Sequence, residues 1–300
     1  MRRKIPSTQA LACFEAAARH ESYTRAAEEL AMSQGAVSRQ IAALEGFLGA
    51  ALFRRTRHGV VLTPCGADYA RQTGRLLASL ERATQDAAGF QGGGSLSLGA
   101  VATFATRWLL PRLPRLAARH PELTVHLETR TRPFLFADTD FDAALYAGTP
   151  EQVANWAGAS ATLLMREDVV PVCSPTLSGF TPGMPPAALA TLPLLQQSTR
   201  PQGWRQWFDA AGVMAPDALR GPRYELFSMT AVAAVHGMGL ALIPRMLIDD
   251  ELARGDLVVA CDLPLVGERS YYLVAPAQRE ERLALAQFRA WLLDEAREVR

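Results

Sequence analysis

A glutamine, a serine one helical turn later and the arginine beside it form the most suggestive chemical group in this 300-residue chain. Gln34 can present a bidentate amide to adenine, Ser38 can reach a neighbouring base or phosphate, and Arg39 suits guanine or phosphate. Ser33, just before them, would offer its hydroxyl and nearby backbone N–H groups to a phosphate. Arg54, Arg55, Arg57 and His58 follow around a turn, placed to grip a nucleic-acid backbone without reading its sequence.

These residues need a rod that exposes them. Val37, Ile41, Leu44 and Leu48 repeat at +4, +3 and +4, which predicts a third helix with that stripe buried, capped by Ser33 and ended by Gly49. Ser7 is the expected cap of a first helix over about 8–20, and a second short helix spans about 24–31. Two helices joined by a tight turn, the second polar on its outer face, read as a helix-turn-helix. The segment after Leu52 reads as two short strands around the basic turn, a wing beside the third helix. A lone polar face on any three-helix module is the alternative reading.

Charge supports the stronger reading. The whole chain carries a net charge of only +1, yet residues 1–63 hold nine Lys/Arg against five Glu. A basic small end on an acidic remainder suggests an anionic partner gripped by one domain. Thr63-Pro64 predicts a helix start. The helix to about Ala88 carries Tyr69, Thr73, Leu76, Leu80, Ala83 and Ala87 as a coiled-coil-like seam for a second copy of the chain. Packing on its own domain is the alternative. The glycines after Gln91 mark a hinge.

From Ser95 strands and helices alternate, which predicts an α/β domain with a mostly parallel sheet. Ser95–Val101 leads through Ala102, Thr103, Phe104, Ala105 and Thr106 into a helix. Its N–H groups and two threonine hydroxyls would seat a carboxylate. Ser228 opens another helix, Tyr271 lies on a late strand with Tyr272 beside it, and Ser198 precedes Trp204 and Trp207. Thr103, Thr106, Ser198 and Ser228 have a plain reading too, as helix or loop caps, and Tyr271 has one as a half-buried strand residue with its hydroxyl in water. The two tryptophans and Phe208 read as core.

The motifs of hydrolases, nucleotide-binding loops and zinc proteases are missing from the sequence, and the four cysteines form no CxxC pair. No enzyme activity, metal or cofactor is expected, and no membrane span. The basic N-terminus lacks the apolar run of a signal peptide, so a cytoplasmic location is expected. An enzyme fused to a DNA-binding module and a purely architectural DNA binder are the rival classes.

The run from Phe14, Ala17 and Ala18 through Ser22, Thr24, Ala27, Leu30, Ser33, Gln34, Val37, Ser38, Ile41, Leu44 and Glu45 to Leu52, Phe53, Arg55, Thr63 and Gly66 resembles the DNA-binding domain of LysR-type transcriptional regulators. Gly35 departs from the serine or proline common there. The later ATFATRWLLPRLPRL and DFDAALYAG resemble the effector domain of the subgroup that contains the glycine-cleavage activator and the β-lactamase-inducing regulator. The resemblance implies an all-α winged helix-turn-helix (1–63), a long linker and dimerisation helix (64–91), and a two-lobed α/β effector domain like a periplasmic solute-binding protein, with the ligand in its cleft (92–300). Lobe I would comprise about 92–162 and 268–300, and lobe II about 163–267. It further implies double-stranded promoter DNA as partner, a dimer through the linker helix that pairs into a tetramer, a small-molecule effector and contact with RNA polymerase. Thr103, Ser228 and Tyr271 fall where relatives hold their ligand, and Thr106 and Ser198 are the further candidates.

Overall fold

The computed structural model describes residues 4–56, 59–88, 94–130, 132–277 and 282–297. Two compact units result, residues 1–90 and 91–300.

The first unit contains α1 (Thr8–His20), α2 (Tyr23–Glu29), α3 (Gln34–Leu48), β1 (Phe53–Thr56), β2 (Gly59–Leu62) and α4 (Pro64–Ala88). Serine hydroxyls start three helices: Ser7 accepts from the Ala10 N–H, Ser22 from Arg25 and Ser33 from Ala36. Each satisfies one of the N–H groups a helix leaves unpaired at its start. The turn between α2 and α3 runs through Ala31 at φ 51°, a left-handed conformation unusual for a residue with a Cβ. Phe14, Ala17, Ala26, Val37, Ile41, Leu44 and Leu52 are buried together. Leu48, expected in the same stripe, is instead 36% exposed at the end of the helix, beside its cap Gly49.

The second unit has strands β3 (Ser95–Ala100), β4 (Thr124–Thr129), β5 (Ala143–Gly148), β6 (Ala159–Cys173), β7 (Leu194–Gln197), β8 (Arg223–Tyr224), β9 (Leu240–Pro244), β10 (Val258–Val259) and β11 (Leu265–Pro276). Its helices are α5 (Ala102–Phe104), α6 (Leu113–Arg119), α7 (Pro150–Ala154), α8 (Pro186–Leu189), α9 (Gly203–Ala210), α10 (Phe227–Val235), α11 (Asp249–Arg254) and α12 (Leu283–Arg297). The strands form one sheet ordered β4-β3-β5-β11-β6-β9-β7-β8, with β10 on β6.

The sheet is mixed rather than mostly parallel. Parallel pairs lie toward its two ends, β3 with β4 and β5, and β7 with β8 and β9. Between them the long strands β6 and β11 pair antiparallel with each other and with their neighbours. The helix expected over 107–120 also begins earlier and is irregular. After α5 it passes through a π-helical turn, Ala105–Leu109, and a 3-10 turn, Leu110–Arg112, before α6. One buried cluster runs from Leu96 and Leu98 on β3 through Phe104 and Trp108 to Val170, Leu195 and Ala231. A second surrounds Trp204, Trp207 and Phe208, which are core as expected.

Candidate DNA-reading face and effector cavity

On α3, Gln34 and Arg39 are exposed and Ser38 is half-buried, while Val37, Ile41 and Leu44 anchor the helix from behind. Gly35 leaves room over which Arg39 folds: a Cβ there would lie 3.6 Å from Arg39 Nη1, an ordinary contact. Ser33 accepts the Ala36 N–H, and its own O–H remains a donor.

The strand pair is fastened at two points. Glu45 on α3 accepts the N–H groups of Leu52 (2.7 Å) and Phe53 (3.1 Å), and the Val60 N–H donates to the Glu21 carbonyl. Arg54 and Arg55 are exposed on β1. Arg57 and His58 lie outside the described residues.

Charge is distributed unevenly in this unit. Arg19 is tied to Glu15 and Glu29, holding the Glu29 carboxyl down to about 2. Among the described residues, Arg39, Arg54 and Arg55 form no ion pair, and neither do Lys4 or Arg25. Lys4 and Arg25 were not singled out from the sequence. The position of Arg25 in the first turn of α2 was the available signal.

Helix α4 begins where expected: Thr63 Oγ1 accepts from Gly66 and donates to the Ala51 carbonyl. Its seam divides. Tyr69 packs on Phe14, ring centroids 5.5 Å apart, and Thr73 is buried, so the first half belongs to its own unit. Leu76 and Leu80 are 67% and 50% exposed. The Ala87 side chain lies outside what is described.

In the second unit a cavity of about 150 Å3 opens beside Thr103, Phe104, Gln197, Arg200, Arg269 and Tyr271. Tyr271 is buried and stacks on Phe104 with centroids 4.7 Å apart. Burial pushes its phenol well above the usual range, and the Glu167 charge adds to the push. Thr103 is buried, and its hydroxyl accepts the Ser228 N–H at 3.3 Å. Ser228 therefore meets Thr103 through its backbone. It is the second residue of α10, whose cap is Leu226, and that helix receives no side-chain cap.

Three candidates are not on the cavity wall: Ser228, whose neighbours Leu226 and Phe227 line it instead, Thr106 and Ser198. Thr106 is exposed and donates its hydroxyl back to the Ala102 and Thr103 carbonyls, leaving it committed to its own helix. Ser198 is exposed, its N–H bound to the Tyr224 carbonyl. Alternation along the extended chain turns Gln197 and Thr199 toward the cavity and Ser198 away from it.

No motif or periodicity in the sequence marks the arginines on that wall. Arg269 lies in a bulge of β11 between Val266 and Ser270, an irregularity that re-aims a side chain. It is half-buried and donates to the Ala147 carbonyl at 3.3 Å. Among the described residues it pairs with no carboxylate, and burial followed by the nearby Arg200 charge lowers its pKa. Arg200 donates to Glu167 at 2.9 Å, with 19% and 4% of the two side chains exposed. Among the described residues no group of His, Cys, Asp and Glu is placed to hold a metal, and no helix is long and apolar enough to cross a membrane.

A helix-turn-helix with a wing, followed by a mixed α/β unit whose cavity is faced by two arginines, defines a DNA-binding regulator with a ligand-binding domain. The family description "Bacterial regulatory helix-turn-helix protein, lysR family" matches residues 8–67, and "LysR substrate binding domain" matches residues 91–297. The chain belongs to the LysR family of transcriptional regulators: it is a DNA-binding regulator with an effector-binding domain, in a family of regulators rather than enzymes.

The glycine cleavage system transcriptional activator of Escherichia coli K12 is 35% identical over 297 residues, covering 99% of this chain and 96% of its own. The transcriptional activator AmpR of Pseudomonas aeruginosa is 36% identical over 295 residues, covering 96% and 95%. The crystal structure of the AmpR effector domain from Pseudomonas aeruginosa superposes with a TM-score of 0.60 at 30% identity, over 68% of this chain and 96% of that one.

Proposed function

We propose that this regulator reads promoter DNA through Ser33, Gln34, Ser38 and Arg39 on α3, with Arg54, Arg55 and Arg57 on the backbone. Its effector is a carboxylate held at Arg269, Thr103 and Tyr271. The effector reading rests on one observation, the half-buried Arg269 guanidinium that faces the cavity without a carboxylate counterion. A buried cation without a partner is costly, and a bound carboxylate removes that cost through charge-assisted hydrogen bonds.

The chain dimerises through the exposed far half of α4, places two recognition helices in successive major grooves, and pairs as two dimers into a tetramer at the promoter. RNA polymerase is its partner there, and the protein works in the cytoplasm. Its three segments are 1–63, 64–91 and 92–300, and the effector domain divides into lobes where β6 and β11 cross between them. The effector acts by binding one arrangement of the assembly more tightly than the other.

The test compares acetate with acetamide, equal in shape and different in charge, on full-length protein by ligand-observed NMR and thermal unfolding. Acetate is expected to bind and acetamide not to bind, and Arg269→Gln is expected to lose acetate while keeping DNA affinity. Equal binding of the two probes would remove the carboxylate from the reading.

A further inference from the structure

A second cavity of about 480 Å3 adjoins the first. Gln197, Arg200, Phe227 and Arg269 line both, so the two chambers share a wall. The chambers differ in character. The larger one is faced by Val169, Leu195, Trp204, Phe227, Leu242 and Leu265, with Glu167 on the shared side and the exposed Glu268 toward solvent. Its volume falls in the usual range for an organic ligand, and the smaller chamber falls below that range.

Arg200 dominates the partition. Its Nη2 donates to Glu167, its Nη1 to the Thr199 carbonyl and hydroxyl, and its guanidinium lies 5.7 Å from the centroid of the Phe227 ring. Its Nε is buried with no hydrogen-bond partner. The wall thus holds two guanidiniums, Arg200 and Arg269, against the one buried carboxylate of Glu167; Glu225, which also lines the smaller chamber, is exposed and screened by solvent. A ligand carboxylate would balance them two to two and supply the acceptor that Arg200 Nε lacks.

We propose that Arg200 is a gate. It loosens from Glu167 to take the carboxylate of an effector seated in the smaller chamber, and the opened partition admits the effector's apolar body into the larger one. Glu167 is then an internal competitor, occupying in the empty protein the guanidinium that the effector claims. The ligand class follows: a carboxylate carrying an apolar body of several carbons, longer than the small chamber alone accepts. This inference rests on the carboxylate reading above and adds to it a second chamber and a competitor.

The experiment titrates full-length protein with acetate, butyrate and hexanoate by ligand-observed NMR. Each added methylene that enters the larger chamber is expected to tighten binding roughly fourfold. Gly203 lines that chamber, and a Cβ there would make only ordinary contacts, with Arg200 and Leu242 at 3.7 Å, so Gly203→Leu is chosen to extend an apolar side chain into it. That variant is expected to bind acetate normally and to lose the gain with chain length, while DNA binding and unfolding temperature report that it is folded. Glu167→Gln is expected to bind hexanoate several-fold more tightly, because Arg200 is no longer held. If acetate binds and affinity is flat with length, the second chamber is refuted and the carboxylate reading stands. If no carboxylate binds, that reading fails and takes the gate with it. Unchanged or weaker hexanoate binding by Glu167→Gln would refute the competitor role.

Discussion

The two units keep their arginines in opposite states. On the DNA-reading unit Arg39, Arg54 and Arg55 stand in solvent with no ion pair among the described residues, while Arg19, away from the reading face, is clamped by two glutamates. In the effector unit Arg200 is drawn inside against Glu167, and Arg269 is half-buried. An exposed guanidinium costs little to keep waiting for a phosphate, and its attraction is long-ranged and screened by salt. One drawn inside is costly until an anion balances it, so it selects a ligand by shape as well as charge. The first arrangement suits a long, uniform polyanion, and the second suits one small anion.

The contrast can be broken most severely at the reading unit's core. Leu44→Ala deletes a fully buried side chain behind the exposed face and is expected to cost about 2–5 kcal/mol. DNA binding should be lost while acetate binding at the cavity persists, measured by gel shift and NMR on one preparation. Loss of both would show that the two units share one unfolding transition.

A smaller effect separates them at alkaline pH. Burial raises the Cys173 thiol to about 11 and the Tyr271 phenol in the same direction. The unfolded chain releases these protons first, so the stabilisation is complete below about pH 9 and declines as pH rises. The expected loss is about 1.4 kcal/mol per pH unit per group. Urea unfolding between pH 8 and 11 should follow that slope, and Cys173→Ala should flatten its first part. An unchanged slope in the variant would place the alkaline loss elsewhere.

The smallest expected effect sharpens the reading of the exposed arginines. Arg55→Ala should weaken binding to every DNA sequence alike and reduce the log–log salt slope by about 0.9. Equal slopes for the variant and the parent would take Arg55 off the backbone-contacting set.

The same contrast governs what could be read from the sequence. In the reading unit the signals are local: Ser33 reaches Ala36, Gly49 ends α3, and Val37, Ile41 and Leu44 recur on one side of one helix. The errors there arise where a helix runs out of neighbours, as at Leu48, or meets an unforeseen one, as Tyr69 meets Phe14. In the effector unit Glu167, Arg200 and Arg269 come together across a span of a hundred residues, and no periodicity links them. The antiparallel middle of the sheet was hidden for the same reason, since β6 and β11 find each other only in three dimensions. The family resemblance pointed to Thr103, Ser228 and Tyr271, of which Thr103 and Tyr271 line the cavity and Ser228 does not; Thr106 and Ser198, chosen for hydroxyl chemistry alone, lie off the wall with their polar groups bound to backbone.

Gly66 gives α4 a mechanical character. Any Cβ there would lie 2.1 Å from the Leu52 carbonyl, so the helix backbone rests directly on the strand base that Glu45 holds from α3. The helix, the strand base and α3 therefore meet at Leu52. At 1.5 Å per residue the shaft is roughly 37 Å long, and tilting it by about 5° about its root sweeps its free tip through roughly 3 Å. In the proposed assembly, a modest rearrangement among copies at that tip would tilt the first unit on its operator.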